Sequence, residues 1–535
     1  MSRLMQSVRP ALAAAVAALL AVLSGPAAAD DYKASPQMAM ELRHARWFDG
    51  EKLQSGTLYV EDGRFVAQRP RKVNRLLELR GQVLMPPLAE AHNHNLQSAW
   101  GLAKFGQDYL RDGVFYAAML CADPESVGPI RDRIAQPETP DVLFATACIT
   151  SSDGQPLAML QSGNPPMSLD QIVDKAVLIM DTPDDVGRKW PLIAGRRSDL
   201  VKVIMSYHDR PELRGVAEER GKLGVTPAVV AEVVRRAHAE NRRVVVHIES
   251  AADFEAAVRA GADFIAELPG YFPQHGEEPE SHLLTPEVAA LAAEKQVGIV
   301  TATIATRLFN PPPELLARIE AVQKRNLELL SKAGARLLVG SDLFTGNALN
   351  EVHHLDQLGV LDKPALLKMA TIDTPLALFP KRKLGCFQPG CEASFLVLIG
   401  NPLEDLDALD KPLLRIKQGR VLTQLDDVAA TAGEEDNALN AKPSSGKQAT
   451  GKKSSAKPGA KSSGKSGTKS TGKAATKSNA KSAPKASAKG KTTSAPPKAG
   501  KTRTAVAGKP STTAKAAGKK TTTAGMTVNK ASATA

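Results

Sequence analysis

The sequence is poor in cysteine and aromatic residues, and one long region has no aromatic residue at all. Four Cys in 535 residues exclude a disulfide scaffold, and no glycine repeat of the collagen type is present. Residues 441–535 contain 22 Lys or Arg but no Asp, Glu, Phe, Trp or Tyr. Such a segment cannot bury enough apolar surface to offset its chain entropy. We therefore predict a disordered basic tail, rich in Lys, Ala, Ser and Thr, at residues 427–535.

The excess of basic residues belongs to that tail. The whole chain has a formal charge of +12, whereas residues 1–440 hold 47 basic and 57 acidic residues, a net of −10. This acidic body argues against a basic nucleic-acid-binding fold, so no specific nucleic-acid partner is expected. The tail is either an extension without a defined partner or a polycation that binds anionic envelope polymers.

Long apolar runs are absent except near the N-terminus. Arg3 and Arg9 precede a thirteen-residue apolar run at residues 11–23, and the small residues Ala27-Ala28-Ala29 follow it. This order is typical of a secretory signal peptide, which we predict at residues 1–29. We therefore expect an exported protein, periplasmic or extracellular, with no transmembrane segment in the mature chain.

The four cysteines can form two disulfide bonds, which an exported protein would allow. Cys386 and Cys391 flank a short Pro-Gly turn and can close a small loop, and Cys121 and Cys148 form the other possible pair. Buried free thiols are the alternative. The sequence alone leaves both arrangements open.

Helix and strand signals alternate through the middle of the chain. Thr226-Pro227 and Thr285-Pro286 each place a capping residue and a first-turn proline before an amphipathic run, and a buried strand follows. Residues 313–332 are predicted to form a long helix. Eight strands are predicted in this region: one ending at residues 92–94, then 114–120, 141–149, 199–205, 243–248, 262–267, 297–301 and 336–340. This α/β pattern predicts a (β/α)8 TIM-type barrel over residues 87–378.

The two flanks of this region have a different pattern. Residues 38–86 and 379–426 contain short alternating strands separated by turns such as Asp62-Gly63. We predict that both flanks together form a small β-sandwich beside the barrel.

Polar residues stand at the carboxyl ends of several predicted strands, where barrel enzymes place their active sites. His92 and His94 are two residues apart on one strand, so both imidazoles point to the same side and can meet one metal ion. Lys202 lies inside an apolar strand, where an unpaired Lys is rare. Three further candidates close later strands: His247, Glu267 and Asp342.

Together these motifs resemble the metal-dependent amidohydrolase superfamily over roughly residues 40–425. The chain is most similar to the imidazolonepropionase and Xaa-Pro dipeptidase-like group. The motifs are Met85-Pro86-Pro87 before His92 and His94, a Lys on strand four, a His on strand five, and Gly340-Ser341-Asp342. The resemblance implies a hydrolase that uses metal-activated hydroxide to cleave a carbon–nitrogen bond (amide or cyclic amide) or an ester-like bond. A small molecule or short peptide, such as a dipeptide or N-acyl compound, is the implied substrate.

The resemblance also implies a cofactor and roles for individual residues. One or two divalent metal ions are expected, with zinc as the metal. His92, His94 and Asp342 would hold one ion, and Lys202, as a carbamate, would bridge to a second ion held by His247. Asp342 would also pass the proton of the attacking water to the leaving group, so Asp342 and Lys202 are the implied catalytic residues. Tyr207 and His208, shortly after Lys202, are the candidate substrate-binding residues.

The sequence departs from the family pattern at the end of the sixth strand. The family usually has a histidine there, and this chain has Glu267. A carboxylate can replace an imidazole on zinc, so a modified two-metal site, a one-metal site and a catalytically impaired barrel all stay open. The impaired form would be an envelope binding protein tethered by its polycationic tail. His275, eight residues after Glu267, is a further candidate for the missing ligand.

Overall fold

The computed structural model describes residues 32–134, 136–163 and 165–424. The predicted signal peptide at residues 1–29 and the predicted tail at residues 427–535 lie outside the described residues, so both stay predictions. The described part has the mixed α/β architecture that the sequence predicts. It contains no helix with the length and apolar character needed to cross a membrane.

Strands occur along the whole described chain. They are β1 (Tyr32–Ala34), β2 (Met40–Phe48), β3 (Leu53–Glu61), β4 (Arg64–Val66), β5 (Arg75–Glu78), β6 (Val83–Met85), β7 (Leu88–Asn93), β8 (Val114–Leu120), β9 (Asp141–Ala145), β10 (Ala147–Thr150), β11 (Leu178–Ile179), β12 (Leu200–Ile204), β13 (Arg243–His247), β14 (Phe264–Ile265), β15 (Gly298–Val300), β16 (Arg336–Leu338), β17 (Phe395–Leu398), β18 (Leu414–Lys417) and β19 (Arg420–Gln424).

Helices alternate with the strands from β7 onward. The α-helices are Ala99–Arg111, Pro124–Val127, Arg131–Ile134, Leu157–Ser162, Leu169–Ile172, Pro183–Gly195, Pro227–Ala239, Ala251–Ala260, Pro286–Glu294, Pro313–Lys332, Ala348–Leu358, Lys363–Lys368 and Thr374–Leu378. Short 3-10 helices and one π-helix lie between them, including Thr303–Phe309 after β15 and Met369–Asp373 before the last α-helix.

Local capping explains where these helices begin and end. The helix Ala251–Ala260 begins at Ser250, whose hydroxyl accepts from the backbone N–H of Asp253 while the Asp253 carboxylate accepts from the backbone N–H of Ser250. It ends at Gly261, whose φ of +88° is readily adopted only without a side chain. The long helix Pro313–Lys332 has the bounds predicted from the sequence.

Parallel strands connect edge to edge in the middle of the molecule. One sheet runs β10-β12-β13-β14-β15-β16 with β11 on the other edge of β10, and a second sheet runs β7-β8-β9. Only Thr146 separates β9 from β10. Backbone hydrogen bonds from Ala91 N–H to Val339 C=O (2.9 Å) and from Asp342 N–H to His92 C=O (2.8 Å) join β7 to the end of β16. We call the strands β7, β8, β12, β13, β14, β15 and β16, together with β9 and β10 counted as one strand, the strand ring.

Both flanks contribute to one further sheet of nine strands. Its order is β1-β19-β18-β17-β6-β2-β3-β4, with β5 beside β2. Antiparallel pairing of β6 with β17 joins the N-terminal and C-terminal flanks directly. The two flanks are joined by hydrogen bonds into a single sheet and enclose a separate apolar cluster that includes Met40, Phe65 and Phe395. The predicted two-sheet β-sandwich stays a prediction.

The four cysteines form two disulfide bonds. Cys121–Cys148 joins the end of β8 to β10 with Cα atoms 4.8 Å apart. Cys386–Cys391 closes a loop before β17 with Cα atoms 5.9 Å apart. Of the two arrangements that the sequence leaves open, the structure has the paired one.

Candidate metal centre

Three candidate ligand atoms from distant parts of the sequence meet at the carboxyl end of the strand ring. His92 Nε2 is 3.2 Å from His94 Nε2. Asp342 Oδ1 is 3.2 Å from His94 Nε2 and 3.6 Å from His92 Nε2. Ligands bound at about 2.1 Å around one tetrahedral zinc ion are separated by similar distances. The three residues predicted to share one ion are thus brought together in the required arrangement.

A buried carboxylate, Glu90, fixes the two strands that carry these ligands. Its Oε1 accepts from the backbone N–H groups of His92 (3.0 Å) and Ser341 (2.9 Å). Its Oε2 accepts from the Ser341 hydroxyl (2.6 Å) and from Asn93 Nδ2 (3.4 Å). Gly340 allows this approach, because a Cβ there would lie 2.8 Å from His92 N. Burial raises the pKa of Glu90 to about 7.

The imidazole of His92 is held in the orientation that suits a metal ligand. Its Nδ1 is 3.0 Å from the Ala266 carbonyl oxygen, which can only accept, so this nitrogen is assigned as the protonated one. The other nitrogen, Nε2, then offers its lone pair toward His94 and Asp342. Burial lowers the pKa of His92 to about 4, so the ring is neutral near pH 7, as a ligand must be.

Asp342 offers an unpaired acceptor at the same point. Its Oδ1 is buried without a hydrogen-bond partner among the described residues, although burying such an atom is costly. Burial alone would raise its pKa, but the charges and contacts of His92 and His94 hold the pKa below the usual value. An ionised acceptor facing two imidazole nitrogens fits a divalent cation. The donor set therefore fits the metal that the resemblance implies.

The remaining predicted ligands meet at a second point centred on Glu267. Its Oε1 lies 2.8 Å from His247 Nδ1, 3.3 Å from His92 Nδ1 and 3.5 Å from Lys202 Nζ. Both Glu267 and Lys202 are buried. Burial opposes ionisation of Glu267, but His247, Lys202 and His92 together hold its pKa below the usual value. Burial lowers the pKa of Lys202, and its Nζ lacks a well-aligned hydrogen bond in the described part of the chain.

Three residues that the sequence analysis did not select complete this second point. Glu249 Oε1 is 3.2 Å from His247 Nε2 and accepts from the Tyr271 hydroxyl (2.8 Å). Gln155 Nε2 donates to Glu249 Oε1 (2.9 Å) and lies 2.9 Å from His247 Nε2. The two-residue spacing of His247 and Glu249 was a usable signal for the second carboxylate. Gln155 and Tyr271 lie in loops, where no periodicity marks them.

The candidate substrate-binding residues have other partners. The ring of Tyr207 is buried against His275, with centroids 4.6 Å apart, and burial raises its pKa above the usual value. His208 Nδ1 is 2.7 Å from Asp253 Oδ1. His275, the suggested replacement ligand, has its Nδ1 3.2 Å from Glu219. Glu267 itself, rather than His275, reaches His247, and substrate contact by Tyr207 or His208 stays a prediction.

The sequence is similar to known hydrolases over part of its length. Residues 212–422 match the model of the amidohydrolase family. The ochratoxinase of Aspergillus niger is 25% identical over 245 residues, which are 44% of this chain and 48% of that protein. The chain thus aligns with about half the length of the curated relatives it matches.

Solved structures share the fold over a larger part of the chain. A crystal structure of an amidohydrolase has a TM-score of 0.56 at 22% identity, covering 72% of this chain and 98% of that one. A Xaa-Pro dipeptidase with bound methionine has a TM-score of 0.57 at 19% identity, covering 72% and 100%. The structure of A. niger ochratoxinase has a TM-score of 0.56 at 20% identity, covering 72% and 96%. At these identities the likeness establishes the fold.

Proposed function

Because the chain belongs to the amidohydrolase superfamily, we propose that it is a metal-dependent hydrolase that cleaves a carbon–nitrogen bond in a small substrate. An amide or cyclic amide, as in a dipeptide or N-acyl compound, is the proposed substrate, and an ester-like bond is a second possibility. The observation that carries the proposal is the convergence of His92 Nε2, His94 Nε2 and the unpaired Asp342 Oδ1 on one point.

Each of the three residues has a definite task in this reaction. A divalent ion, when bound, polarises the substrate carbonyl and lowers the pKa of water to about 7. His92 and His94 supply neutral imidazole nitrogens, and Asp342 supplies an anionic oxygen. Asp342 is also the group at this point able to accept the proton of the attacking water and deliver it to the leaving nitrogen. Its partly exposed side chain, with 20% relative accessibility, is open to substrate.

At the second point, the contacts of Glu267 favour one bound ion over two. Its Oε1 is 2.8 Å from His247 Nδ1 and 3.5 Å from Lys202 Nζ, so the carboxylate already has cationic neighbours. Converting Lys202 to a carbamate would place two anions together in a buried site, and a second ion would then be required to compensate them. We propose that the Lys202–Glu267 pair takes the place of the second ion. A zinc pair bridged by carbamylated Lys202 is the alternative.

Elemental analysis combined with hydrolysis assays tests this proposal. The protein is purified without chelator, with and without bicarbonate, and assayed on dipeptides, N-acyl amino acids and lactones. About one ion per chain, with hydrolysis lost on chelation and restored by zinc, supports the proposal. Two ions in bicarbonate would support the carbamate alternative. No ion and no hydrolysis would instead support a binding protein built on the same fold.

We also propose that the protein is exported. Two disulfide bonds support this proposal, since such bonds persist in oxidising compartments, and the apolar run at residues 11–23 supplies a signal sequence. The basic tail would then bind anionic polymers of the envelope. Binding of the full chain to such polymers should fall steeply with added salt, and salt-independent binding would contradict the role of the tail.

A further inference from the structure

Large apolar side chains are exposed at the carboxyl end of the strand ring. Phe344 follows β16 and is 52% exposed, and Phe309 follows β15 and is 44% exposed. Leu308, beside Phe309, is also 44% exposed. Single exposed apolar residues are ordinary, but a group of them around a candidate active site marks a binding surface.

Phe344 directly borders the candidate metal centre. Its ring stacks on the ring of His94, with centroids 5.9 Å apart and an interplanar angle of 30°. The side chains of His94 and Asp342 are each 20% accessible, so both are partly open to solvent beside Phe344. A group bound to the exposed face of Phe344 would lie beside the point where the three ligand atoms converge.

Three further aromatic residues, Tyr271, Phe309 and Phe272, form a wall that begins at His247. The Tyr271 ring meets the His247 ring edge to face, with centroids 6.3 Å apart. Phe309 continues outward from Tyr271 at 6.0 Å and stacks on Phe272 at 4.2 Å. The hydroxyl of Tyr271 donates to Glu249, which fixes the inner ring of this wall. Aromatic surface thus extends from His94 and from His247 toward solvent.

We propose that this aromatic rim binds an aromatic ring carried by the substrate next to the scissile carbonyl. The inference rests on the proposed hydrolase function and specifies its substrate class: N-acyl amino acids or related amides with a phenyl-sized group. Stacked and edge-to-face ring pairs add about 0.5–1.5 kcal/mol beyond the burial of apolar area, and Phe344 presents a ready face for such a pair. Small aliphatic amides would leave this surface exposed to water.

Matched substrates and a matched variant test the rim. Acetyl-phenylalanine is compared with acetyl-alanine, and benzoyl-glycine with acetyl-glycine, so that each pair differs by a ring on one side of the amide. In at least one pair, kcat/KM should be about tenfold higher for the ring-bearing member. Phe344→Ala should lower kcat/KM more for the ring-bearing member than for the small member, and should thereby remove most of that preference. The control is Ile399→Ala, because Ile399 is 70% exposed but follows β17 in the sheet formed by the two flanks; it should leave the preference unchanged.

Two results would overturn the inference about the rim. One is equal kcat/KM for both members of each pair, and the other is an equal loss for both members in Phe344→Ala, which would make Phe344 merely structural. Failure of the hydrolase proposal has a different outcome, because binding of phenylalanine and alanine to the zinc-loaded protein is measured separately by calorimetry. Ring-selective binding that Phe344→Ala abolishes, without any hydrolysis, would support the rim and contradict the hydrolase. Absence of ring selectivity in both assays would contradict the rim.

Discussion

The two points of the candidate centre differ in how their polar atoms are satisfied. At the first, His92 Nε2, His94 Nε2 and Asp342 Oδ1 face one another, and Asp342 Oδ1 has no well-aligned hydrogen bond among the described residues. At the second, Glu267 Oε1 is surrounded by His247, Lys202 and the far nitrogen of His92. The three atoms of the first point could hold a cation, whereas at the second point Lys202 already lies beside the Glu267 carboxylate.

Under the proposed function, one residue at the second point would change the number of metal ions that the site binds. A neutral histidine in place of Glu267 would leave Lys202 without a carboxylate partner, so carbamylation and a second ion would become favourable. With Glu267 present, the protein supplies a fixed ion pair in that position. We therefore expect the first point to determine activity and the second to contribute mainly to stability.

Removing a ligand at the first point should have the largest effect. His94→Ala should reduce bound metal below about 0.1 ion per chain and lower kcat/KM at least about a thousandfold, because the carbonyl then lacks its polarising cation. The control is His353→Ala, since His353 forms a similar group with Asp407 and Asp410 on the surface. Elemental analysis and steady-state kinetics measure both variants, and retained metal in His94→Ala would contradict this assignment.

Removing the carboxylate at the second point should mainly affect folding. Glu267→Gln leaves Lys202 without its buried counter-charge, while His247 keeps Glu249 as a partner. Breaking such a buried pair typically costs about 3–5 kcal/mol of unfolding free energy. Urea denaturation measures the change, and Glu320→Gln, which breaks an exposed pair with Arg307, is the control with an expected cost below about 1 kcal/mol. A loss of one ion per chain in Glu267→Gln, instead of a loss of stability, would identify Glu267 as a metal ligand.

Replacing Glu267 with the histidine that is usual in the family tests the same comparison between the two points. Glu267→His should allow a second ion to bind in bicarbonate, because Lys202 no longer has an anionic partner. Elemental analysis should then find about two ions per chain instead of about one. The mass of the chain should rise by about 44 Da if Lys202 is carbamylated. Unchanged metal content and mass would show that Glu267 does not control the second position.

Glu90, whose carboxylate bonds to both ligand-bearing strands and is here called the clamp, should influence metal affinity. Glu90→Gln replaces one acceptor oxygen with a donor that faces the hydroxyl of Ser341 and the amide of Asn93. Because residues that orient ligands typically contribute 10- to 100-fold in affinity, the zinc Kd should rise by about that factor. Chelator competition measures Kd, and circular dichroism checks the fold. An unchanged Kd in a folded variant would show that the clamp does not position the ligands.

The smallest effect is expected at the His208–Asp253 pair, near the centre but outside both points. The hydrogen bond that His208 donates to Asp253 raises the pKa of His208 above its usual 6.5. Burial and Arg214 oppose this shift, and Asp209 adds to it. Its stabilising contribution is complete below about pH 6.5 and is lost as pH rises through the folded-state pKa. The wild type should be more stable than His208→Gln by about 1 kcal/mol at pH 6, and less so at pH 9. A pH-independent difference in urea denaturation would contradict this.

The sequence predicts the α/β class and the placement of the strand-end residues, because these depend on periodicity and capping. The bounds of the helix at residues 313–332 follow from local rules, and the structure confirms them. The hydrogen bonds of the strand ring support the predicted barrel. Domain boundaries and the roles of the eight candidate site residues stay predictions.

Contacts between distant loops are the part that the sequence does not predict. Tyr271 reaches Glu249, and Phe344 stacks on His94, through loop conformations that no periodic pattern encodes. The break between β9 and β10 is also not predicted, because residues 142–149 are apolar apart from Thr146 and the sequence predicts one strand there. Glu90 is two residues before His92, yet its bond to Ser341 depends on the closure between β7 and β16.

Metal content tests the central claim most directly. The wild-type protein, purified without chelator and supplied with zinc and bicarbonate, should contain about one ion per chain, and His94→Ala should contain almost none. Two ions per chain would contradict the proposal that the Lys202–Glu267 pair replaces the second ion. No bound ion in the wild type would contradict the metal-dependent hydrolase itself.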